Sequence, residues 1–204
     1  MDKKTHIMHH ALELFAGNGF DGTSIRDIAT RAEVNVAMVN YYFGSKDKLF
    51  ESAVTYKAGN IKGILEELAG NTQLSEMEKM EKIIDIYVNR FLSQPGFHRV
   101  LYQELLKSER GSLHQQIISI FSRNTQIIRS IIEQGIKKKI FRKTDPELTM
   151  ASLLGTINQV MLSRPLCNML MGKDENFDPY SDINFRKRVT KHLQQLMRAH
   201  LLNK

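Results

Sequence analysis

The chain has 204 residues, long enough to bury a sizeable core in one or two domains, and its 29 Lys/Arg against 22 Asp/Glu give a formal net charge of +7. It has no run of about 18 apolar residues, as a membrane-spanning helix needs, and its start, "MDKKTHIMHHALELF", lacks the apolar core and cleavage site of a secretory leader. The single cysteine, Cys167, excludes an internal disulfide and a CxxC metal site and fits a reducing cytoplasm.

Apolar residues recur at helical spacing along the whole chain. Ile7, Ala11, Leu14 and Phe15 line one face of a first helix, which "GNGFDG" (17–22) stops. Thr23 or Ser24 caps a second helix, with Ser24 and Asp27 in capping-box register, and Ile25, Ile28, Ala29 and Ala32 form its apolar face. Asn35 is a good N-cap for a short third helix whose apolar positions are Val36, Val39 and Phe43. Ser45 caps a fourth, with Leu49, Phe50, Ala53, Val54, Leu65 and Leu68. Ser75 and Glu78 repeat the capping box and open a fifth, which includes Ile83, Ile84, Tyr87, Val88 and Phe91. A segment near 97–108 and a long helix near 112–139 follow. Asp145 and Pro146 then start a helix that runs to about Ser163, before Pro165. "GKDENFDPYSD" reads as a loop, and a last helix carries Val189, Leu193, Leu196, Met197 and Leu201. The expectation is an all-α fold of about nine helices with no strand. The first three are short and close together, and the domain boundary falls inside the fourth helix, dividing 1–50 from 51–204.

Several motifs invite chemistry that their context does not support. "GNGFDG" matches GxGxxG, but a helix precedes it and no strand follows, so it reads as a turn and not as a dinucleotide site. His6, His9 and His10 form HxxHH; His6 and His10 share a face, yet the surrounding sequence shows no third and fourth metal ligand, and the run reads as a polar outer face. "KKKIFRK" (137–143) suits the basic end of a helix. No catalytic spacing of Ser/His/Asp, Cys/His or paired carboxylates stands out, so neither an enzyme nor a cofactor is expected.

The third helix is too short to be stable alone, since isolated helices of two turns do not persist in water. Packing must hold it through Val36, Val39 and Phe43, which leaves Ala37, Met38 and Tyr41 on the far side. With the second helix and a connector at Glu33–Val34 it makes a helix-turn-helix, whose second member lies in the DNA major groove. Bulk charge does not carry this reading. Residues 1–50 hold six Lys/Arg and six Asp/Glu, so the whole excess lies beyond them, much of it in 137–143 and 186–191.

The stretch "GFDGTSIRDIATRAEVNVAMVNYYFGSKDKLF" (19–50) resembles the DNA-binding segment of the TetR/AcrR family of bacterial transcriptional regulators. The likeness covers about residues 5–55 well, and "EQGIKKKIFRKTDPELTMASLLGTINQV" more loosely. It implies an N-terminal three-helix domain and a larger helical body for ligand binding and dimerisation. By matching position, Thr23 and Ser24 would begin the second helix near phosphates. Asn35, Val36, Ala37, Asn40, Tyr41 and Tyr42 would be the recognition stretch, and Lys46 would meet phosphate. Glu33 stands where the family often has glycine, and Asn40 where many members have tyrosine.

The resemblance also implies a cytoplasmic homodimer that represses from an inverted-repeat operator on double-stranded DNA, is released by a small-molecule inducer and has no membrane partner. The helices near 145–163 and 183–202 would pair with their copies, burying Leu153, Leu154, Ile157, Val160, Leu193, Leu196 and Met197. Tyr87, Phe91, Tyr102, Phe121, Asn124, Asn158 and Met161 would wall the inducer pocket. A basic body without an acidic pair favours a lipophilic neutral or anionic ligand over a dication. The alternatives are a DNA-binding regulator without a small-molecule ligand and an all-helical enzyme or carrier.

Overall fold

The computed structural model describes residues 2–107 and 112–202. Ten helices occur among them: α1 (Lys3–Asn18), α2 (Ile25–Arg31), α3 (Val36–Phe43), α4 (Lys46–Gly70), α5 (Glu76–Ser93), α6 (Pro95–Leu106), α7 (Ser112–Lys137), α8 (Pro146–Leu162), α9 (Arg164–Met171) and α10 (Ile183–Leu201). No helix among the described residues is long and apolar enough to cross a membrane. The only β pairing among them is an isolated bridge between Phe141 and Leu202.

The all-α expectation holds, with one helix more than the sequence suggests. Ser163 ends α8 and also caps α9, its side chain accepting from the Leu166 amide at 3.4 Å. Pro165 stops the first helix yet suits the first turn of the second, where a missing N–H costs nothing. Gly172, at φ +61°, then ends α9.

The chain forms two compact units: residues 1–62 with 96–122, and 63–95 with 123–204. Phe97, Val100, Leu101 and Ile117 of α6 and α7 join the core of the N-terminal helices, so the first unit is larger than three helices. At its centre the rings of Phe15, Phe20 and Phe50 lie 4.9–5.5 Å apart, and Phe15 and Phe50 are almost fully buried. Each such ring contributes about 1.5–3 kcal/mol by leaving water.

In the second unit α5 packs on α8 and α10. Met80, Ile83, Ile84, Ile128, Ile132, Ile157 and Leu193 are buried there. The end of α7 explains the spacing around "QGIKKKIF". Lys139 is left-handed at φ 60°, the Lys139 amide donates to Ile136 O, and the Ile140 amide donates to Gly135 O. That reversal lays the Phe141 ring on Gly135, where a Cβ would meet the ring at 2.2 Å.

Candidate nucleic-acid interface

The helix-turn-helix is built from α2, a three-residue turn beyond its C-cap Ala32, and α3. The Ser24 hydroxyl accepts from the Asp27 amide at 3.2 Å, and the Ser24 amide donates to Asp27 Oδ2 at 2.8 Å, which completes the capping box. These bonds, from the Ser24 hydroxyl first and then its amide, hold the Asp27 carboxyl below its ordinary pKa. Glu33 takes the left-handed conformation at φ 52°. Its amide donates to Thr30 O and the Val34 amide donates to Ala29 O, a Schellman closure that satisfies the last carbonyls of α2. Glycine is the usual residue at such a position, because a Cβ there costs about 1–2 kcal/mol.

α3 is anchored on one side only. Val39 is fully buried and Phe43 nearly so, while Met38 and Tyr42 pack partly against the same core. Ala37, Asn40 and Tyr41 are exposed, Tyr41 at 85%. Val36, expected in the anchoring stripe, is 37% exposed, because the stripe begins one turn later at Val39. Asn35 caps α3 as its position predicts: its side-chain oxygen accepts from the Met38 amide at 2.7 Å. Thr23 is buried, and its hydroxyl donates to Gly19 O at 2.8 Å instead of facing solvent at the start of α2.

Lys46, expected at a phosphate, holds contacts within the protein. Its ammonium does not reach outward. Nζ donates to Phe20 O at 2.9 Å and Thr23 O at 3.0 Å, and lies 4.4 Å from the Phe20 ring centroid. The bend between α1 and α2 leaves those carbonyls without helical partners, and the nearest cation takes them. Gly22 makes the bend possible, since a Cβ there would lie 2.4 Å from Asn18 O. Lys107, at the end of α6, grips the same turn through Asp21 at 2.9 Å and also pairs with Glu104 at 2.7 Å. Partial burial opposes its charge, but the two carboxylates outweigh that and raise the Lys107 pKa. Two exposed cations that the sequence reading passed over are Arg26, in the first turn of α2, and Lys48, in the first turn of α4. Their positions off the apolar stripes of those helices were the available clue.

A family model described as "Bacterial regulatory proteins, tetR family" matches residues 7–53, and one described as "Tetracyclin repressor-like, C-terminal domain" matches residues 73–162. The chain belongs to the tetR family. Among curated relatives, the "Probable HTH-type transcriptional regulator YttP" of Bacillus subtilis (strain 168) is 34% identical over 67% of this chain and 66% of that protein. The aligned part thus spans just under two thirds of that relative. The HTH-type transcriptional repressor NicS of Pseudomonas putida (strain KT2440) is 29% identical over 74% of this chain and 73% of that protein. Among solved structures, the transcriptional regulator FadR of Bacillus subtilis in complex with stearoyl-CoA superposes with a TM-score of 0.71 at 23% identity, over 93% of this chain and 96% of that one. This last likeness shows the fold.

The residues expected around an inducer fall into two groups in this tetR-family chain. Tyr87 and Phe91 are buried on α5 and stack at 5.8 Å, and Asn124 and Met161 are buried in the same unit, with Asn158 half-buried. Met161 O accepts from the Tyr180 hydroxyl at 2.8 Å, which fixes the end of α8. Tyr102 and Phe121 belong to the other unit, with ring centroids 6.2 Å apart. The anticipated dimer residues need a further correction. Leu153, Ile157, Val160, Leu193 and Met197 are at most 5% exposed within their own chain, so they serve its core, while Leu154 is half-buried and Leu196 is 39% exposed.

Proposed function

We propose that the protein is a homodimeric transcriptional repressor that holds an inverted-repeat operator through α3 and is released by a small lipophilic ligand. The observation that carries the DNA half is the one-sided anchoring of α3. Val39 and Phe43 fix the helix from behind, and Ala37, Asn40 and Tyr41 stand free in front. The small Ala37 lets the backbone approach a groove, Asn40 can pair with a base edge, and the tyrosine hydroxyls can donate to phosphate. Arg26 and Lys48 replace Lys46 as the phosphate-seeking cations. Asn35 and Ser24 act by holding amide groups in place, which makes the capped starts of α2 and α3 the anion-facing elements.

Exposed apolar side chains cluster at the end of α8 and on α9: Leu162, Leu166, Met169 and Leu170 are 37–67% exposed. With Leu196 of α10 they supply apolar area for the pairing of two copies, and two copies read a two-fold symmetric site. For the ligand, the fold shared with a regulator that binds stearoyl-CoA and the basic body both favour a fatty acyl thioester. A footprint on DNA upstream of the protein's own gene, followed by titration with stearoyl-CoA, tests the reading. A protected inverted repeat lost on adding the thioester supports it. Absence of any protected sequence overturns the DNA half, and release by cationic dyes alone overturns the ligand class.

A further inference from the structure

The outer side of α1 carries His6, His9, His10 and Glu13, at helical spacings of three and four. In sequence the three histidines lack a recognisable further ligand, because one glutamate on a helix has no signature. The structure supplies it. His9 Nδ1 lies 3.5 Å from Glu13 Oε1, and His10 Nδ1 lies 3.2 Å from Glu13 Oε2. Two imidazoles thus converge on one carboxylate, with the ligand atoms of all three residues within 4.8 Å of one another. His6 stands behind the group: its ring packs edge-on to His10 at 4.6 Å, and its Nε2 lies 3.1 Å from Ala32 O at the end of α2. Arg31 Nη2, 3.6 Å from Glu13 Oε2, supplies the positive charge now facing the carboxylate.

We propose that His9, His10 and Glu13 form a binding site for one transition-metal ion of the Zn²⁺ class, with a remaining position open to water. The donor set of two imidazole nitrogens and one carboxylate oxygen suits Zn²⁺, Ni²⁺ and Cu²⁺, whereas Mg²⁺ and Ca²⁺ ask for oxygens. Metal bonds of about 2.0–2.1 Å in a tetrahedron set neighbouring ligand atoms about 3.3–3.4 Å apart. The two observed nitrogen–oxygen separations, 3.2 and 3.5 Å, lie close to that value but run to different oxygens of Glu13, so the three side chains must adjust to bring one donor each onto the ion. The Arg31 side chain is 61% exposed, and giving up one exposed ion pair costs little. A bound dication also alters the charge of a segment, 1–50, that otherwise nets zero.

The test is calorimetric titration of the metal-stripped full chain with Zn²⁺ and Ni²⁺, with Mg²⁺ as the control. One Zn²⁺ per chain is expected, with a rise in melting temperature, and no response to Mg²⁺. His9→Ala and Glu13→Gln should each weaken Zn²⁺ binding by about tenfold or more, an effect of the size seen when metal-site groups are removed. These side chains are 62% and 43% exposed, so the α1 core survives both changes. His6→Ala should leave the affinity within about threefold, and Arg31→Ala should strengthen it by removing the competing cation. Zn²⁺ affinity that is unchanged in the His9→Ala/Glu13→Gln double variant, or weakened in Arg31→Ala, would overturn the site.

Discussion

Replacing Lys46 with methionine keeps the stem that covers Phe20 and removes the ammonium alone. That ammonium makes two hydrogen bonds, at 2.9 and 3.0 Å, and stands 4.4 Å from a ring centroid. Hydrogen bonds from a charged donor contribute about 1.5–3 kcal/mol each, and a partly exposed cation over a ring about 0.5–1 kcal/mol. One cation serves all three contacts, so the sum overstates the loss. The expected cost is about 2 kcal/mol, a fall in melting temperature of roughly 4–8 °C for a chain this long. Thermal unfolding followed by circular dichroism reads that term. DNA titration at several salt concentrations reads the other, since losing a true phosphate contact flattens the slope of log K against log salt by about 0.9. The structure predicts lost stability and an unchanged slope. Unchanged stability with a slope flatter by about one would refute the clamp and return Lys46 to the phosphates.

The remaining predictions concern the same unit. Tyr41→Ala should weaken operator binding and leave the melting temperature unchanged, because the ring is 85% exposed, whereas Val39→Ala should cost about 2 kcal/mol and lower DNA affinity through the fold. Glu33→Gly should raise stability by roughly 0.5–1 kcal/mol, as it relieves a left-handed side chain at φ 52°, while Glu33→Ala should not. The capping carboxyls Asp27 and Glu78 have folded pKa values held low by Ser24 and Ser75. Their contribution is therefore fully present above the ordinary carboxylate range, near about 4, and is lost as pH falls through the depressed folded values. Acid unfolding curves of Asp27→Asn should accordingly be flatter below about pH 4 than those of the parent chain.

Local rules made much of this molecule legible. Both capping boxes, the Asp145–Pro146 start of α8 and the anchoring residues Val39 and Phe43 follow from spacing and cap chemistry, which act within a few residues. What escaped depends on contacts distant in sequence. Nothing near Lys46 announces that the α1–α2 turn, 23–26 residues earlier, will take its ammonium. α9 was hidden because Pro165 is a stop signal and a first-turn residue at once, and only the Ser163 cap separates the two cases. The apolar stripes of α8 and α10 were visible, but spacing cannot say whether a stripe covers its own core or a second copy. Here most of their residues turn inward, and the exposed apolar area moves to the end of α8 and to the unforeseen α9.

A segment of zero net charge that is to grip DNA draws its affinity from aligned amide groups and a few cations, so the placement of its helix starts matters more than its field. The start of α2 is set by the α1–α2 turn, and that of α3 follows through the closure at Glu33 and the Asn35 cap. Lys46 holds that turn from the beginning of α4, and Lys107 holds it from the end of α6. The beginning of α6 is tied in as well: a Cβ at Gly96 would lie 2.9 Å from Ala16 Cβ and 3.0 Å from Ala16 O, so α6 meets α1 almost backbone to backbone. A contact that close transmits a shift of α6 instead of absorbing it, since packed interiors have little slack. A ligand need only favour one setting of α6 by about 1.4 kcal/mol to change operator affinity tenfold, and one with equal affinity for both settings changes nothing. Gly96→Ala, by wedging α6 from α1 with no ligand present, should therefore weaken DNA binding as an inducer does. If its DNA affinity and its response to stearoyl-CoA both match the parent chain, α6 is not the coupling element.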